Sequence, residues 1–239
     1  MDNTPDITFI ESSHTYINKY GNELISCSKL VSRYKPIFDP KGEIIENCAA
    51  KKGVSVEELR KEWDKTRDDA CDRGINFHKQ AQYWVEHKQI QDGDYKDVVI
   101  QLSKIPFKGQ LKSETIIANN ILGIAGTVDL MDIYDNNKIE IWDFKTNKQL
   151  KKKGFFNNKT KRFSKMLHPI EHLDDCNFIH YSLQLEIYGL ILEENGCWVG
   201  NKTILYINPK TRKLEIHPIM PVRNEAYKII KHYNQMKNW

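Results

Sequence analysis

The residues with the clearest chemical potential lie near the middle of the chain, in the stretch 139–145 (IEIWDFK). Alternate residues of a β-strand share a face, so two isoleucines lead into Asp143 and Lys145 on one side of the strand. Burying these two charges is costly unless they pair with each other or with a metal ion. The preceding apolar stretch carries Asp129 in the same way, and a hairpin turn at 135–137 would bring Asp129 beside Asp143.

Two neighbouring carboxylates are hard oxygen ligands, of the kind that Mg²⁺ or Mn²⁺ binds while keeping water and substrate oxygens in its shell. A metal ion held there would polarise a phosphodiester and lower the pKa of a bound water. Lys145 would orient that water or neutralise the developing charge. The alternative is an ordinary salt bridge between Asp143 and Lys145 at the end of a hairpin. The stretch therefore predicts phosphodiester chemistry only together with further motifs.

Five motifs follow one another along the chain. They are R-G-x-x-x-H at 73–78, Glu114, G-T-V-D at 126–129, D-F-K at 143–145 and Q-x-x-x-Y at 184–188. In this order they resemble the RecB-like branch of the PD-(D/E)XK nuclease superfamily, and within it the phage-type exonucleases and the mitochondrial genome maintenance exonuclease. A weaker resemblance extends to the stretch 26–39 (SCSKLVSRYKPIFD). The resemblance implies a restriction-endonuclease-like core and metal-dependent hydrolysis of DNA.

The resemblance also implies a role for each matching residue. The implied catalytic residues are Asp129, Asp143, Lys145, Glu114, Gln184 and Tyr188, and the implied metal ligands are His78, Asp129, Asp143 and the carbonyl of Phe144. Gln184 and Tyr188 would flank the site on a helix, touching the lysine region or the DNA backbone. For Glu114 two roles stay open, a peripheral acid of the site or a solvent-facing strand residue. Mg²⁺ or Mn²⁺ is the implied cofactor, and Gln82, where relatives often have an acid, leaves the number of metal ions open.

The cysteines and the remaining histidines indicate no further metal centre. The five cysteines are scattered without a C-x-x-C pair, which predicts reduced thiols and no iron–sulfur cluster. A zinc site is suggested by the four-residue spacing of His168, His172, Cys176 and His180. Ligands at that spacing would line one straight helix, which cannot wrap a tetrahedral ion, so the sequence disfavours zinc.

The positive charge is concentrated in one segment. The formal net charge is +4, yet residues 148–165 carry eight of the 36 basic residues and no acid, which leaves 28 basic against 32 acidic residues elsewhere. Cations interleaved with phenylalanines are typical of a surface that binds single-stranded nucleic acid, although a solvated loop is the ordinary alternative. The residues expected to contact DNA are Arg73, Lys148, Lys151, Lys152, Lys153, Phe155, Phe156, Lys159, Lys161, Arg162 and Tyr181.

The elements that position these residues follow from the hydrophobic period. A small hairpin is expected over 7–25, and a capping box at Ser55 opens a helix that reaches about residue 88 and is bent at Gly74. Further helices are expected at 28–34, 43–52, 94–105, 177–194 and 221–236, and strands at 110–118, 123–134, 138–145, 198–208 and 212–217. This order predicts an α/β fold, a central mixed sheet flanked by helices. We expect a single domain, with residues 1–54 as an N-terminal cover and 55–239 as the nuclease core with a basic loop at 148–165.

Composition excludes several classes of protein. No apolar run reaches the roughly 18–20 residues of a membrane span, and the start has neither a secretory signal nor a transit peptide. We therefore expect a cytoplasmic protein of a bacterial or phage-infected cell, with no membrane partner. The predicted function is a metal-dependent exonuclease acting on DNA with single-stranded or free ends, or flaps, in replication, recombination or repair. A structure-selective endonuclease and a non-catalytic module that binds single-stranded nucleic acid are the alternatives.

Overall fold

A computed structural model describes residues 7–37, 42–135 and 137–237 as a central mixed sheet flanked by helices. The predicted α/β class is confirmed. The helices are α1 (Cys27–Ser32), α2 (Glu43–Lys52), α3 (Val56–His87), α4 (Lys96–Leu102), α5 (Asn177–Glu194) and α6 (Arg223–Lys237). The strands are β1 (Ile7–Ile10), β2 (Thr15–Asn18), β3 (Glu23–Ser26), β4 (Gln110–Asn119), β5 (Ile124–Tyr134), β6 (Lys138–Lys145), β7 (Phe156–Asn157), β8 (Arg162–Phe163), β9 (Trp198–Ile207) and β10 (Leu214–Pro218).

The main sheet has the order β1-β2-β3-β5-β6-β9-β10, and β4 pairs with β5 outside this order. Strands β4 and β6 are antiparallel to β5, whereas β3 pairs with β5 in parallel and β6 pairs with β9 in parallel. Because β4 occupies one edge of β5 along 124–133, β3 and β6 must share the other edge. Strand β3 takes residues 124–125 of that edge and β6 takes 130–134, so residues 126–129 lie in a gap between them.

The two faces of the sheet pack against different helices. Helices α1, α5 and α6 pack on one face, where Ile141 of β6 belongs to the larger apolar cluster. Helices α3 and α4 cover the other face, where Phe77 and Phe144 join a second cluster. Helix α5 is buried on most sides, as its predominantly apolar second half predicts.

Helix α3 begins as predicted and extends over two environments. The Ser55 hydroxyl accepts from the Glu58 N–H at 3.1 Å, and the Glu58 carboxylate accepts from the Ser55 N–H at 2.9 Å, which completes the predicted capping box. The first half of α3 packs against α2 through Leu59, and the second half packs against the sheet through residues such as Phe77. The helix runs from Val56 to His87 without interruption at Gly74.

Two parts of the chain differ from the prediction. The stretch 7–25 contains three strands rather than one hairpin, and the third strand, β3, belongs to the main sheet. The basic stretch 148–165 is not a loop throughout, because β7 and β8 form an antiparallel hairpin within it. Of the predicted turn at 135–137, residue 136 lies outside the described residues, as do 38–41 of the N-terminal region. Among the helices described, none is long and apolar enough to cross a membrane.

Candidate active site

Three neighbouring strands each bring one acid to the same point of the sheet. The pairs Ser113↔Leu130 and Thr115↔Val128 set a register that puts Glu114 of β4 opposite Asp129 of β5. The pairing of β5 with β6 ends at Leu130↔Trp142, so Asp129 and Asp143 are the next facing residues. Here the strands separate, and the Phe144 N–H donates to the Asp129 carboxylate at 2.7 Å instead of to a backbone carbonyl.

Helix α3 places His78 against the first two of these acids. The Nδ1 atom of His78 lies 2.9 Å from Glu114 Oε1, and its Nε2 atom lies 3.7 Å from Asp129 Oδ2. Each of the three residues offers one ligand atom, and these atoms lie within 4.8 Å of one another. Within the described part of the chain this is the one group of three or more histidine, cysteine or acidic residues that could hold a metal ion.

The protonation of His78 reflects its two acidic neighbours. Burial lowers the pKa of His78, but the charge of Asp129 and the hydrogen bond to Glu114 outweigh burial and raise the pKa to about 9. Without a metal ion the imidazolium therefore holds the two carboxylates together near neutral pH. Metal ligation needs a neutral imidazole, so a bound cation would take over the positive charge that the proton supplies.

Asp143 and Lys145 form a buried ion pair beside this group. The Lys145 ammonium contacts Asp143 Oδ2, and Asp143 is fully buried. Burial raises the pKa of the Asp143 carboxyl, and the Asp143 carboxylate raises the pKa of Lys145. The Oδ1 atom of Asp143 has no hydrogen-bond partner among the described residues. A buried carboxylate oxygen left without a partner costs about 1–3 kcal/mol or more, which a cation ligand would relieve.

These residues fit a hard divalent cation. Carboxylate oxygens with one imidazole nitrogen are donors that Mg²⁺ or Mn²⁺ accepts, and the unsatisfied Asp143 oxygen is a further donor of the same kind. The arrangement does not select between the two metals. The cysteines take no part, because all five are free thiols and none belongs to the group.

Glu114 has an unusual backbone. It has a φ of 45°, in the left-handed region, and it alone of the β4 residues is left out of the pairing with β5. A positive φ is uncommon in a non-glycine residue and costs about 1–3 kcal/mol, and strain of this kind is often found at active sites. The sequence leaves Glu114 between a peripheral acid and a solvent-facing residue, whereas the structure places its carboxylate in direct contact with His78.

Helix α5 supplies Gln184 and Tyr188 on the other side of the site. The Gln184 amide donates to the Tyr188 hydroxyl at 2.6 Å, and both side chains line the same cavity as His78. Tyr188 lies against Gly126, where an added Cβ would come within 2.5 Å of the tyrosine ring. The glycine of the G-T-V-D motif thus makes room for the tyrosine of the Q-x-x-x-Y motif.

The cavity between these elements has a volume of about 370 Å³ and occupies the gap between β3 and β6. It is lined by His14, Tyr16, Ser26, Cys27, Ser28, His78, Glu114, Gly126, Thr127, Asp129, Lys145, Gln184 and Tyr188. The N-terminal strands and the start of α1 contribute the first five of these, which sequence reasoning did not single out. The only signal for them is the weak resemblance at 26–39, which does not reach His14 or Tyr16.

The remaining residues expected to contact DNA lie outside this cavity. Tyr181 is closest, with Lys145 Nζ 4.8 Å from the centre of its ring and its hydroxyl donating to Asn147. Arg73 lies beside Thr146 in a small separate pocket, and its buried Nε atom has no hydrogen-bond partner among the residues described. The basic segment is exposed along the β7–β8 hairpin, at Lys153, Phe155, Phe156, Lys159, Lys161 and Arg162. Three further lysines, Lys148, Lys151 and Lys152, line a second cavity.

The histidine series that suggests zinc is dispersed. His168 lies 3.4 Å from Glu171, His172 lies 3.1 Å from Glu225, and His180 lies 2.7 Å from Asp175. Within the described ranges each of these histidines therefore has a separate acidic partner, and they form no common metal-binding group with Cys176.

No known protein family matches the chain, and no curated protein is similar to it. Among solved structures, the crystal structure of SSO0001 is 14% identical with a TM-score of 0.38, over 89% of this chain and 75% of that one. The crystal structure of a "putative exonuclease" from Eubacterium rectale is 13% identical with a TM-score of 0.35, over 88% of this chain and 70% of that one. At these identities and TM-scores neither structure assigns a family or a function to the chain.

Proposed function

We propose that the chain is a metal-dependent DNA nuclease of the RecB-like branch of the PD-(D/E)XK superfamily, most simply an exonuclease that acts on single-stranded ends or flaps during replication, recombination or repair. The observation that carries the proposal is the meeting of Glu114 and Asp129 with His78 of α3 in a cavity that Lys145 also lines, with Asp143 of β6 buried beside Lys145. An ordinary salt bridge between Asp143 and Lys145 does not account for the acids that face Asp143 across the sheet.

The metal ligands would be His78, Asp129, Asp143 and the Phe144 carbonyl, as the resemblance implies, and Glu114 joins them by its position beside His78. A bound divalent cation would supply polarisation of the phosphodiester and a water of lowered pKa. Among the described residues of the site, three acids face the cations Lys145 and protonated His78, and because metal ligation needs a neutral imidazole, Lys145 alone would then balance them. That imbalance favours a divalent cation over a monovalent one.

The side chains of the cavity have separable tasks. Lys145 remains protonated because the Asp143 carboxylate raises its pKa, so its ammonium is available to stabilise negative charge that develops on the phosphate. Asp143 also fixes the position of that ammonium through the ion pair. Tyr188 and Gln184 hold each other by a hydrogen bond and present polar atoms to the same space, where they can orient a phosphate oxygen.

The experiment is a cleavage assay on end-labelled single-stranded, duplex and flap DNA, with Mg²⁺, with Mn²⁺ and with a chelator. We expect cleavage that the chelator abolishes and that Asp129→Asn, Asp143→Asn and Lys145→Ala each reduce by at least about 10²–10³-fold. Asp92→Asn is the matched control, because it removes an equally charged but exposed carboxylate whose pairing with Lys96 contributes little.

The result that overturns the proposal is an Asp143→Asn protein that digests DNA as fast as wild type while its thermal unfolding shows it to be folded. A circular single strand in the same assay separates the two nuclease types, since an exonuclease leaves it intact and an endonuclease opens it. Metal-independent binding of all substrates without cleavage would instead identify a binding module.

A further inference from the structure

A second cavity, of about 790 Å³, lies beside the candidate active site and is called here the basic groove. Its lining residues are Asn147, Lys148, Gln149, Leu150, Lys151, Lys152, Asn177, Tyr206, Asn208, Lys210, Glu215 and His217. One wall is the segment 147–152, which follows directly on Lys145, and the other wall is the β9–β10 hairpin. Asn147 joins the groove to the active site, because it accepts hydrogen bonds from both Tyr181 and Tyr206.

The basic groove is strongly positive. Lysines approach it from both walls: Lys148, Lys151 and Lys152 from the first and Lys210 from the second. None of the four forms an ion pair with an acid among the described residues. The single acid of the lining, Glu215, is already engaged by His217 at 3.2 Å and by the Asn208 amide at 3.2 Å. Four lysines against one carboxylate leave the lining of the groove positively charged, so the groove attracts anions.

The wall that carries Lys210 is held rigidly. The Asn208 carboxamide oxygen accepts from the Lys210 N–H at 3.0 Å and from the Thr211 N–H at 3.3 Å, which fixes the turn between β9 and β10. The next residue, Arg212, forms an ion pair with Asp97 of α4 and anchors the turn to that helix. The Lys210 ammonium itself makes none of these contacts and stays free for a ligand.

The opposite wall is held by Asn177, the first residue of α5. Its side-chain Nδ2 donates to the Gln149 backbone carbonyl at 2.8 Å, and its side-chain Oδ1 accepts from the Lys151 N–H at 2.7 Å. Both walls thus have hydrogen-bonded backbones, and their lysines form no ion pair with an acid among the described residues, although the Lys152 ammonium lies 5.0 Å from the centre of the Phe178 ring. Such preorganisation lowers the entropic cost of binding an extended anionic chain.

We propose that the basic groove binds the phosphodiester backbone of a single nucleic acid strand immediately beside the bond that is cleaved, with Lys210 of the β9–β10 hairpin as a phosphate contact. This deepens the proposed function and rests on it, because it names the path of the strand away from the catalytic lysine. The hairpin residues Asn208, Lys210 and His217 acquire a role that neither charge clustering nor motif spacing predicts.

The size of the groove favours one strand over two. Pockets of roughly 300–1,000 Å³ suit ligands of drug size, and the volume of about 790 Å³ therefore accommodates a short run of nucleotides, not a duplex. The groove continues directly from Asn147, two residues beyond Lys145, so the bound phosphates would be those next to the reacting one.

The test compares Lys210→Ala with Lys213→Ala, which removes the same charge from an exposed position in the same hairpin that does not line the groove. Binding of a labelled single-stranded oligonucleotide is measured in a chelator over a range of salt concentrations. Each lost phosphate contact reduces the slope of log K against log salt by about 0.7 for single strands. We expect that change for Lys210→Ala, about twice that change for Lys148→Ala with Lys210→Ala, and no change for Lys213→Ala.

Two outcomes overturn the inference. If Lys210→Ala and Lys213→Ala have equal slopes of log K against log salt, Lys210 does not contact the strand. If Lys210→Ala changes the slope by the same amount for a duplex of that sequence, the groove is not specific for a single strand. The wild-type cleavage assay distinguishes these failures from failure of the proposed function. Wild-type cleavage with equal slopes rejects the groove alone, whereas a Lys210-specific slope change without any cleavage rejects the catalytic proposal and leaves the groove as a nucleic-acid site.

Discussion

Asp143 has an environment that suits chemistry better than stability. It is fully buried, its Oδ1 atom has no hydrogen-bond partner among the described residues, and its contact with Lys145 is an ion pair withdrawn from water. Replacing a buried ion pair by apolar side chains is often neutral or stabilising, so the fold gains little from keeping it. Glu114, with its left-handed backbone, is a second local cost at the same place. Two locally unfavourable features at one place are more typical of a functional site than of a site that only stabilises the fold.

The close approach of Gly126 and Tyr188 predicts that an added methyl group at residue 126 is destabilising. In Gly126→Ala the new Cβ would lie 2.5 Å from Tyr188 Cε1 and 3.1 Å from Cys27 Sγ, so the buried tyrosine must move. We expect a loss of about 1–3 kcal/mol in the free energy of unfolding, measured in denaturant. Cleavage should fall further than in Tyr188→Phe, because that variant loses only the hydroxyl and its hydrogen bond to Gln184, whereas Gly126→Ala also displaces the ring.

The control is Gly200→Ala in β9, where the nearest atom to the added Cβ is 3.6 Å away and contact is ordinary. Stability and cleavage should stay close to wild type there. If Gly126→Ala were as stable and as active as Gly200→Ala, Tyr188 would have no need of its present position.

At the scale of elements, the sequence predicts the pieces better than their pairing. The capping box and the apolar period locate α3, and alternation locates β4, β5 and β6, because these signals are local. The parallel pairing of β3 with β5 joins residues about a hundred positions apart, at Ile25↔Ile124, and no local signal specifies it. The cavity depends on that pairing, so His14 and Tyr16 are not predicted as part of it. The contact of Glu114 with His78 is missed for a similar reason, since a positive φ in a strand leaves no trace in composition.

The β7–β8 hairpin carries a prediction about aromatic side chains. The ring centres of Phe156 and Phe163 lie 5.1 Å apart with the rings tilted by 59°, whereas the Phe155 side chain is 74% exposed. Stacking of a base on an aromatic ring contributes about 1–3 kcal/mol, so Phe155→Ala should weaken the binding of single-stranded DNA by roughly 5- to 150-fold. Phe155→Trp should retain or strengthen it.

Titration of a labelled oligonucleotide in a chelator measures this effect. Ile121→Ala, in the turn between β4 and β5, is the control for loss of an equally exposed apolar side chain. If Phe155→Ala binds the oligonucleotide as tightly as the control does, Phe155 does not stack on a base and is an ordinary solvent-exposed side chain.

Across the whole molecule, the net charge of +4 says little about where an anionic ligand binds, whereas the distribution of the charge says more. The basic stretch 148–165 is visible in the sequence, and part of it does line the basic groove beside Lys145. Lys210, which adds a positive charge on the opposite wall of the groove, lies 45 residues after that stretch, in the β9–β10 hairpin. Its position beside the groove is therefore visible only in the folded chain. Local charge thus predicts that an anion binds, and tertiary structure determines where it passes.

The last prediction concerns the N-terminal strands, which pair with one another and, through β3, with β5 of the main sheet. Tyr16 and Leu24 are buried against Ala118 and Ala125, and β3 pairs with residues 124–125 of β5. Burying one large apolar side chain stabilises by about 1.5–3 kcal/mol, and whole domains are stable by only about 5–15 kcal/mol. Deletion of residues 1–26 should therefore abolish the cooperative thermal unfolding of the full chain. Circular dichroism during heating, with cleavage of single-stranded and duplex DNA measured on the same samples, separates the possibilities. A truncated protein that unfolds cooperatively and now cleaves duplex DNA would show that these strands form a separable cover which restricts the substrate.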